Sequence, residues 1–363
     1  MAQNSAKTSR RKGLTPFGVI SLVIGLALFA YFVKKAGVGQ IADGIRRLGA
    51  GFILIVGISA LRQIARSIAW TLCMEAPYRL RFRDAFRARV MGDAIGNILP
   101  FAGFIVSEPA KPALIRDRVP LMAGFSALAI ENIFYALSVA LFIFSGMMAL
   151  LLSFTLPKGL RLISIITLAV IAVVVALGAV LIAKRLRFIS GGASFLHRRG
   201  LDEKWIEKAR SLEDRIYGFY QRNSARFLPI ILLEACFHLA GVAEIYVTLS
   251  FISPDQPPTF LTAFILESVN RVITIAFKFI PLRMGVDEAG TGRVSKVLQF
   301  TMTTGVTLAI IRKGRDLFWA AIGMILLLQR GLSLRAVTRE AEAALAEQAK
   351  LKVGSNVPAS ESS

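Results

Sequence analysis

Five stretches of this chain, 16–33, 119–153, 159–183, 226–252 and 317–329, are long, apolar and almost uncharged. Hydrocarbon about 30 Å thick offers a backbone no water to bond to, so segments of roughly 20 such residues cross it as helices that satisfy their own peptide groups. That single feature leaves one fold class: all-α, a polytopic integral membrane helical bundle. Composition agrees, since 55% of the 363 residues are hydrophobic, against roughly 45–50% in soluble domains.

Charge then separates partners. The chain carries 44 Lys+Arg against 23 Asp+Glu, a formal net charge of +21. These cations are spread over the short loops between apolar spans, which is the pattern of the positive-inside rule with some attraction to anionic lipid. No nucleic acid partner is expected. Cys73 and Cys236 both fall inside apolar windows and read as small core hydrophobes rather than as a disulfide or metal pair. Glu234 and His238 have the spacing of a helical metal pair, but the second histidine, His197, lies in a loop, so no metal is expected. The sequence holds no G-x-S-x-G, no P-loop and no H-E-x-x-H. No cofactor and no catalytic residue is expected, and the chain reads as a non-enzyme.

Loop charges propose a topology. Lys7, Arg10, Arg11 and Lys12 hold a basic N-terminus, 1–15, on the cytoplasmic side. The apolar run after it is followed by Lys34 and Lys35 with no small-residue cleavage site, so 16–33 reads as a retained first helix. Helix 51–74 returns to a loop with Arg79, Arg81 and Arg83, and the loop 108–118 is basic as well, with Lys111, Arg116 and Arg118. Both ends of 85–107 therefore prefer one side, and Pro100 and Gly103 supply the bend of a re-entrant hairpin. Spans 119–152 and 159–183 complete a first membrane half, 16–183. The loop 184–225 is basic and cytoplasmic, and within 202–222 Trp205, Ala209, Leu212, Ile216 and Phe219 form one apolar stripe of a helix. That helix lies on the bilayer or the bundle, or else binds a partner.

A second membrane half, 226–330, follows: a span at 226–252, a hairpin at 259–290 broken at Pro281 and Gly285 and entered from outside, and a span at 300–329. The tail, 331–363, reads as cytoplasmic, a short charged helix and then disorder. Counted from Pro100 and Pro281, Gly103 matches Gly285, Glu108 matches Glu288, Gly124 matches Gly305 and Glu131 matches Arg312 to within one residue. About six spanning helices plus two re-entrant broken-helix hairpins thus form an inverted repeat, an arrangement that places sites of transporters at the midplane.

Polar residues mark that site. Arg89, Asp93 and Asn97 share one helical face, as do Glu267, Arg271 and Lys278. A charge within the membrane costs about 2.5–3.5 kcal/mol on insertion scales, so these faces point to the bundle interior or a wet cavity. Arg89 with Asp93 and Glu267 with Arg271 could equally be structural i, i+4 pairs. In the last span Arg312, Lys313, Arg315 and Asp316 sit between apolar runs too long for snorkelling. Arg312 and Arg315 are expected to form a fork for an anionic head group, unless Glu131, Glu267 or Glu288 neutralises them.

At Pro100, Gly103, Glu108, Pro281, Gly285, Glu288 and Arg312 or Arg315 the chain resembles the membrane region of the lysylphosphatidylglycerol synthase and flippase-like family, over roughly residues 15–330. The run Ser107-Glu108-Pro109-Ala110-Lys111 is most similar to its hopanoid-biosynthesis-associated branch. The resemblance implies lipid handling in the bacterial inner membrane, with membrane lipids as substrate and lipid-biosynthesis or envelope-transport proteins as partners. Full synthases add a cytosolic aminoacyl-transferase domain, which is not expected here. Phe104-Ile105-Val106 replaces a more Gly-rich, polar run, which argues against a lysylated lipid. The leading expectation is a transporter that moves a polar-headed lipid, a hopanoid or an anionic phospholipid, with Arg89, Arg312 and Arg315 on the head group and Glu108 and Glu288 gating it or carrying a proton. The competing readings are an integral-membrane lipid-modifying enzyme that uses the same carboxylates, and a scaffold subunit presenting 202–222.

Overall fold

A computed structural model of the protein describes residues 34, 38–98, 103–183, 210, 214–215 and 217–329. The expected first span at 16–33, Pro100, most of the 202–222 stripe and the tail lie outside the described residues. Every regular element among those described is a helix. In chain order they are α1 (Val38–Leu48), α2 (Gly51–Leu72), α3 (Phe82–Ile98), α4 (Gly103–Ala113), α5 (Leu121–Ser153), α6 (Lys158–Ala183), α7 (Phe227–Ile252), α8 (Phe260–Ala276), α9 (Val286–Val297) and α10 (Met302–Gln329). Among the described residues four helices are long and apolar enough to cross a membrane: Gly51–Leu72, Leu121–Ser153, Lys158–Gly178 and Ser224–Ile252. The protein is an integral membrane protein of the polytopic helical kind. Helix α10 has the length of a span, 28 residues, but carries its charges at mid-length. Helix α1, which the sequence reading passes over, is amphipathic and tucks Leu48 into the bundle while Arg46 and Arg47 stay exposed.

Local chemistry sets where helices start. Thr259 caps α8: its hydroxyl accepts from the Thr262 amide at 3.1 Å, and the Thr262 hydroxyl accepts from the Thr259 amide at 3.0 Å. Thr301 caps α10 in the same way through the Thr304 amide, 3.0 Å. Helix α9 begins at Gly285, whose φ of +80° suits a residue without Cβ. The Gly285 amide donates to Glu288 at 2.7 Å, so Glu288 closes the first turn of α9. Pro109 and Pro112 sit inside α4 and remove two amide donors, which ends it after 11 residues.

The two expected hairpins are present, with longer second arms than the sequence suggests. Lys111 of α4 lies against Gly92 and Asp93 of α3, so α4 packs back along α3. Gly290 of α9 lies against Ile273 of α8, so the chain doubles back around Pro281–Arg283. At 1.5 Å per residue α4 is about 16 Å long and α9 about 18 Å, well short of a 30 Å hydrocarbon layer.

Packing repeats between the halves. The unit α2, α3, α4, α5 has the same neighbour relations as α7, α8, α9, α10, and each hairpin's first arm crosses to the other unit: α3 packs on α10, and α8 on α5. The crossings match in detail. Phe86 meets Trp319 edge-on at 6.3 Å and Phe264 meets Phe142 edge-on at 5.0 Å. Gly323 lies against the Val90 carbonyl where Gly146 lies against Ser268, and Gly124 touches Pro112 where Gly305 touches Gly292. The equivalent helices α2 and α7 run antiparallel: Gly51 abuts Phe251, Arg62 bonds Glu244, and Arg226 donates to the Leu72 and Met74 carbonyls. Equivalent elements in opposite directions are what an inverted repeat requires.

Two apolar cores result. One gathers the ends of α2 and α7 around Trp70, Met91, Ile115 and Ile230; the other gathers their opposite ends around Ile55, Leu249, Ile265 and Leu308. Between them, halfway along the long helices, lies a belt of charged residues that includes Arg62, Arg66, Glu131, Glu244, Arg271 and Arg315.

Candidate functional site

Within this belt a cavity of about 610 Å³ opens between the first arms of both hairpins and helices α2, α5, α7 and α10. Its lining includes the cations Arg62, Arg66, Arg89, Lys111, Arg271, Lys278, Arg283 and Arg315, and only three acids, Asp93, Glu108 and Asp316. The other carboxylates of the belt stand behind the cations. Glu131 takes Arg66 in a two-pronged contact, at 2.8 and 3.0 Å, and Arg89 at 3.0 Å. Glu244 holds Arg62 at 3.1 Å and also binds Arg315, while Glu267 binds Arg271 and lies 3.7 Å from Arg62. Glu131, Glu244 and Glu267 are all sealed from the surface. A charge at this depth is affordable only when paired, and the pairing also fixes where each guanidinium points.

Three guanidiniums converge on one ring. Arg62 and Arg66 from α2 and Arg271 from α8 lie 4.8, 5.8 and 4.7 Å from the centre of Phe237, and Arg66 also stacks on Tyr135 at 3.7 Å. Aromatic faces stabilise these cations without consuming their N–H donors. Arg271 retains a buried Nε with no hydrogen-bond partner, and so does Arg89. The group next to them, reached from Arg66 through Asn132 at 3.0 Å, differs in sign. There Lys111 bridges Asp93 at 2.9 Å and Glu108 at 2.7 Å, and Asn132 donates to Glu108 at 3.1 Å. Asp93 and Glu108 are the open acids of the site, with side chains 34% and 39% exposed. Such a cavity can hold an anionic group at its arginines and a polar or cationic group beside the two open acids.

The family model for the lysylphosphatidylglycerol synthase transmembrane region matches residues 18–329. The chain belongs to this family. No curated protein and no solved structure matches it. Membership makes the chain a membrane protein of lipid-related function, and it sets the cavity in a lipid context.

The structure gathers some expected site residues and separates others. Arg89, Asp93, Asn97, Glu108, Arg271 and Arg315 line the cavity. Glu131 and Glu267 hold its arginines from behind. Arg312 and Glu288 belong to another cluster, between α9 and α10. Arg312 donates to Asp287 at 2.8 Å and to Thr291 at 2.7 Å, and Lys313 binds Glu288. The fork expected of Arg312 and Arg315 is therefore not formed: Arg315 turns to Glu244 and Asp316, and Arg312 turns away to α9. Both cations are neutralised, but not by the expected Glu131, Glu267 or Glu288: Asp287 takes Arg312, and Glu244 and Asp316 take Arg315. Arg89 and Asp93 do not pair either, because each finds a closer partner on another helix, Glu131 and Lys111. Glu267 and Arg271 do pair. At the breaks, Gly103 starts α4 and Gly285 starts α9, and Pro281 opens the 3-10 turn before it.

Arg62, Gln63 and Arg66 of α2 reach the cavity although they were not placed in the expected site. Their signal was present, as two arginines and a glutamine midway along an apolar span. Tyr135, Phe237 and Trp319 gave no such signal, since an aromatic residue in a membrane helix is ordinary core.

Proposed function

We propose that this protein moves a polar-headed lipid within or across the bacterial inner membrane, as a transporter rather than an enzyme, with a hopanoid or an anionic phospholipid as cargo and both termini cytoplasmic. The observation that carries the reading is the cavity at mid-length of the bundle, where Arg62, Arg66 and Arg271 face one space and their carboxylates lie outside it. A head group passing through hydrocarbon needs a substitute for water, and arginines already oriented by buried acids supply it without reorganising. The two hairpins reinforce the reading. Their second arms are too short to cross a hydrocarbon layer, and helix breaks let polar backbone face a cavity instead of lipid.

The test is reconstitution. Purified protein in phosphatidylglycerol-containing liposomes with a fluorescent phosphatidylglycerol probe should speed the exchange of probe between leaflets, read by quenching from outside. Arg62→Gln and Arg271→Gln should each slow that exchange about tenfold, the effect of losing roughly 1.4 kcal/mol of head-group stabilisation. If the wild-type protein leaves the exchange of phosphatidylglycerol and of a fluorescent hopanoid at the rate of empty liposomes, the transport reading falls.

A further inference from the structure

Nothing in the cavity itself accounts for direction or drive, and the two carboxylates expected to carry a proton are both engaged: Glu108 with Lys111, Glu288 with Lys313 and the Gly285 amide. Another carboxylate stands out. Among the described residues, Glu131, Glu244, Glu267, Asp287, Glu288 and Asp316 each have a lysine or arginine within 4.0 Å. Glu234 on α7 has none, yet it is 1% exposed. Its Oε2 lies 3.5 Å from the Ser138 hydroxyl of α5, and that same hydroxyl lies 3.1 Å from His238 Nε2. The outer atoms of the group, Glu234 Oε1 and His238 Nδ1, are buried without a hydrogen-bond partner. His238 is clamped by Phe142, stacked at 4.5 Å, and by the edge of Phe237 at 5.2 Å.

A carboxylate buried alone costs several kcal/mol. The charges that reach Glu234 and His238 come from α2 (Arg62, Arg66), α3 (Arg89), α5 (Glu131) and α8 (Glu267, Arg271). Of these, Arg66 and Arg89 are held by Glu131, and Arg62 and Arg271 by Glu267. On α10, Arg315 is held by Glu244 and Asp316, and the Asp43–Arg46 pair of α1 is exposed. No third His, Cys, Asp or Glu joins Glu234 and His238 to make a metal set among the described residues. The counter-charge that fits such a space is a proton.

We propose that Glu234, Ser138 and His238 form a proton-binding site coupled to the cavity through Arg66. The proton moves between Glu234 Oε2 and His238 Nε2 across the Ser138 hydroxyl, which turns from the Tyr135 carbonyl, 2.9 Å away, to donate its own hydrogen to one while it accepts from the other. Arg66 stacks on Tyr135 at 3.7 Å and lies 5.8 Å from the Phe237 ring, whose edge meets His238. With the proton on Glu234, Arg66 stays two-pronged on Glu131; when the proton leaves, the Glu234 carboxylate competes for Arg66 and alters the cation wall of the cavity. The coupling rests on the lipid-moving reading above, whereas the proton site does not.

Two measurements separate them. Infrared difference spectra of the full-length protein in lipid nanodiscs, recorded between two pH values, should show a buried carboxylic C=O band that vanishes in Glu234→Gln and shifts in Ser138→Ala. A spectrum unchanged by Glu234→Gln overturns the proton site, and the neutral, isosteric glutamine keeps the variant foldable. In liposomes, a pH gradient should change the exchange of fluorescent phosphatidylglycerol several-fold for the wild type and not for Glu234→Gln. Exchange that ignores the gradient in the wild type overturns the coupling and leaves lipid movement standing. Absence of any exchange beside an intact infrared assignment ends the transport reading and its coupling while upholding the proton site.

Discussion

Glu131 holds two arginines at once, Arg66 and Arg89, from two different helices, and is fully buried. Removing one partner of such a group leaves unpaired charge in a dry place, which costs about 3–5 kcal/mol. Glu131→Gln should therefore lower the thermal midpoint of the detergent-solubilised protein sharply. Combining it with Arg89→Met, which takes away one stranded cation, should recover part of the loss; strictly additive losses in the double variant would show that the two residues do not interact. Asp43, paired with Arg46 on the exposed face of α1, makes the contrast: Asp43→Asn should change the midpoint by less than about 1 kcal/mol in equivalent stability, as surface pairs do.

At the scale of elements, the hairpins stand or fall on close approach. A Cβ on Gly323 would lie 2.5 Å from both the Val90 carbonyl oxygen and Ala94, so α10 and α3 meet backbone to backbone there. Gly323→Leu should part them, reducing lipid exchange and thermal midpoint together, while Gly57→Leu on the open side of α2, where nothing lies within 4 Å, should leave both unchanged. Measured midpoints that fall equally in the two variants would refute the contact. The hairpins were legible because helix breakers and loop charges agree: Pro100, Gly103, Pro281 and Gly285 sit where both flanks prefer one side. The limits of 119–153, 159–183 and 226–252 were legible to within about two residues from apolar length alone, whereas apolar length marks only 317–329 of α10, which starts at Met302. What was not legible was which charges face each other. On one helix Arg312 and Arg315 are three residues apart and look like a pair, yet that arc turns one toward α9 and the other toward α7. Spacing along a helix fixes the side a residue takes; the partner waiting on that side is set by tertiary packing, and no local pattern encodes it. The Glu234, Ser138 and His238 group shows the same limit, since Ser138 comes from a helix nearly a hundred residues away in sequence, |i−j| = 100 from His238.

Eight of the ten α-helices among the described residues form two similar four-helix units interlocked head to tail, each lending the first arm of its hairpin to the other. If the units are inverted in the bilayer, single cysteines at Arg81 and Arg116, flanking the first hairpin, should react with an impermeant thiol reagent from one face of the membrane, and those at Pro257 and Lys296, flanking the second, from the opposite face. Either pair split between faces would make that hairpin a through-crossing element. The native cysteines are removed first so that only the introduced thiols report: Cys73 is buried as expected, whereas Cys236 lies on the outer, apolar face of α7 and not in the core. The exchanged arms also constrain how the chain is made. Arg62 enters the membrane with α2, but its acids, Glu244 and Glu267, are translated later, the first 182 residues downstream. Until then the nascent helix carries that cation without the acids that hold it in the finished fold, at a cost of about 2.5–3.5 kcal/mol on insertion scales, so the first half gains its final charge balance only when the second half arrives.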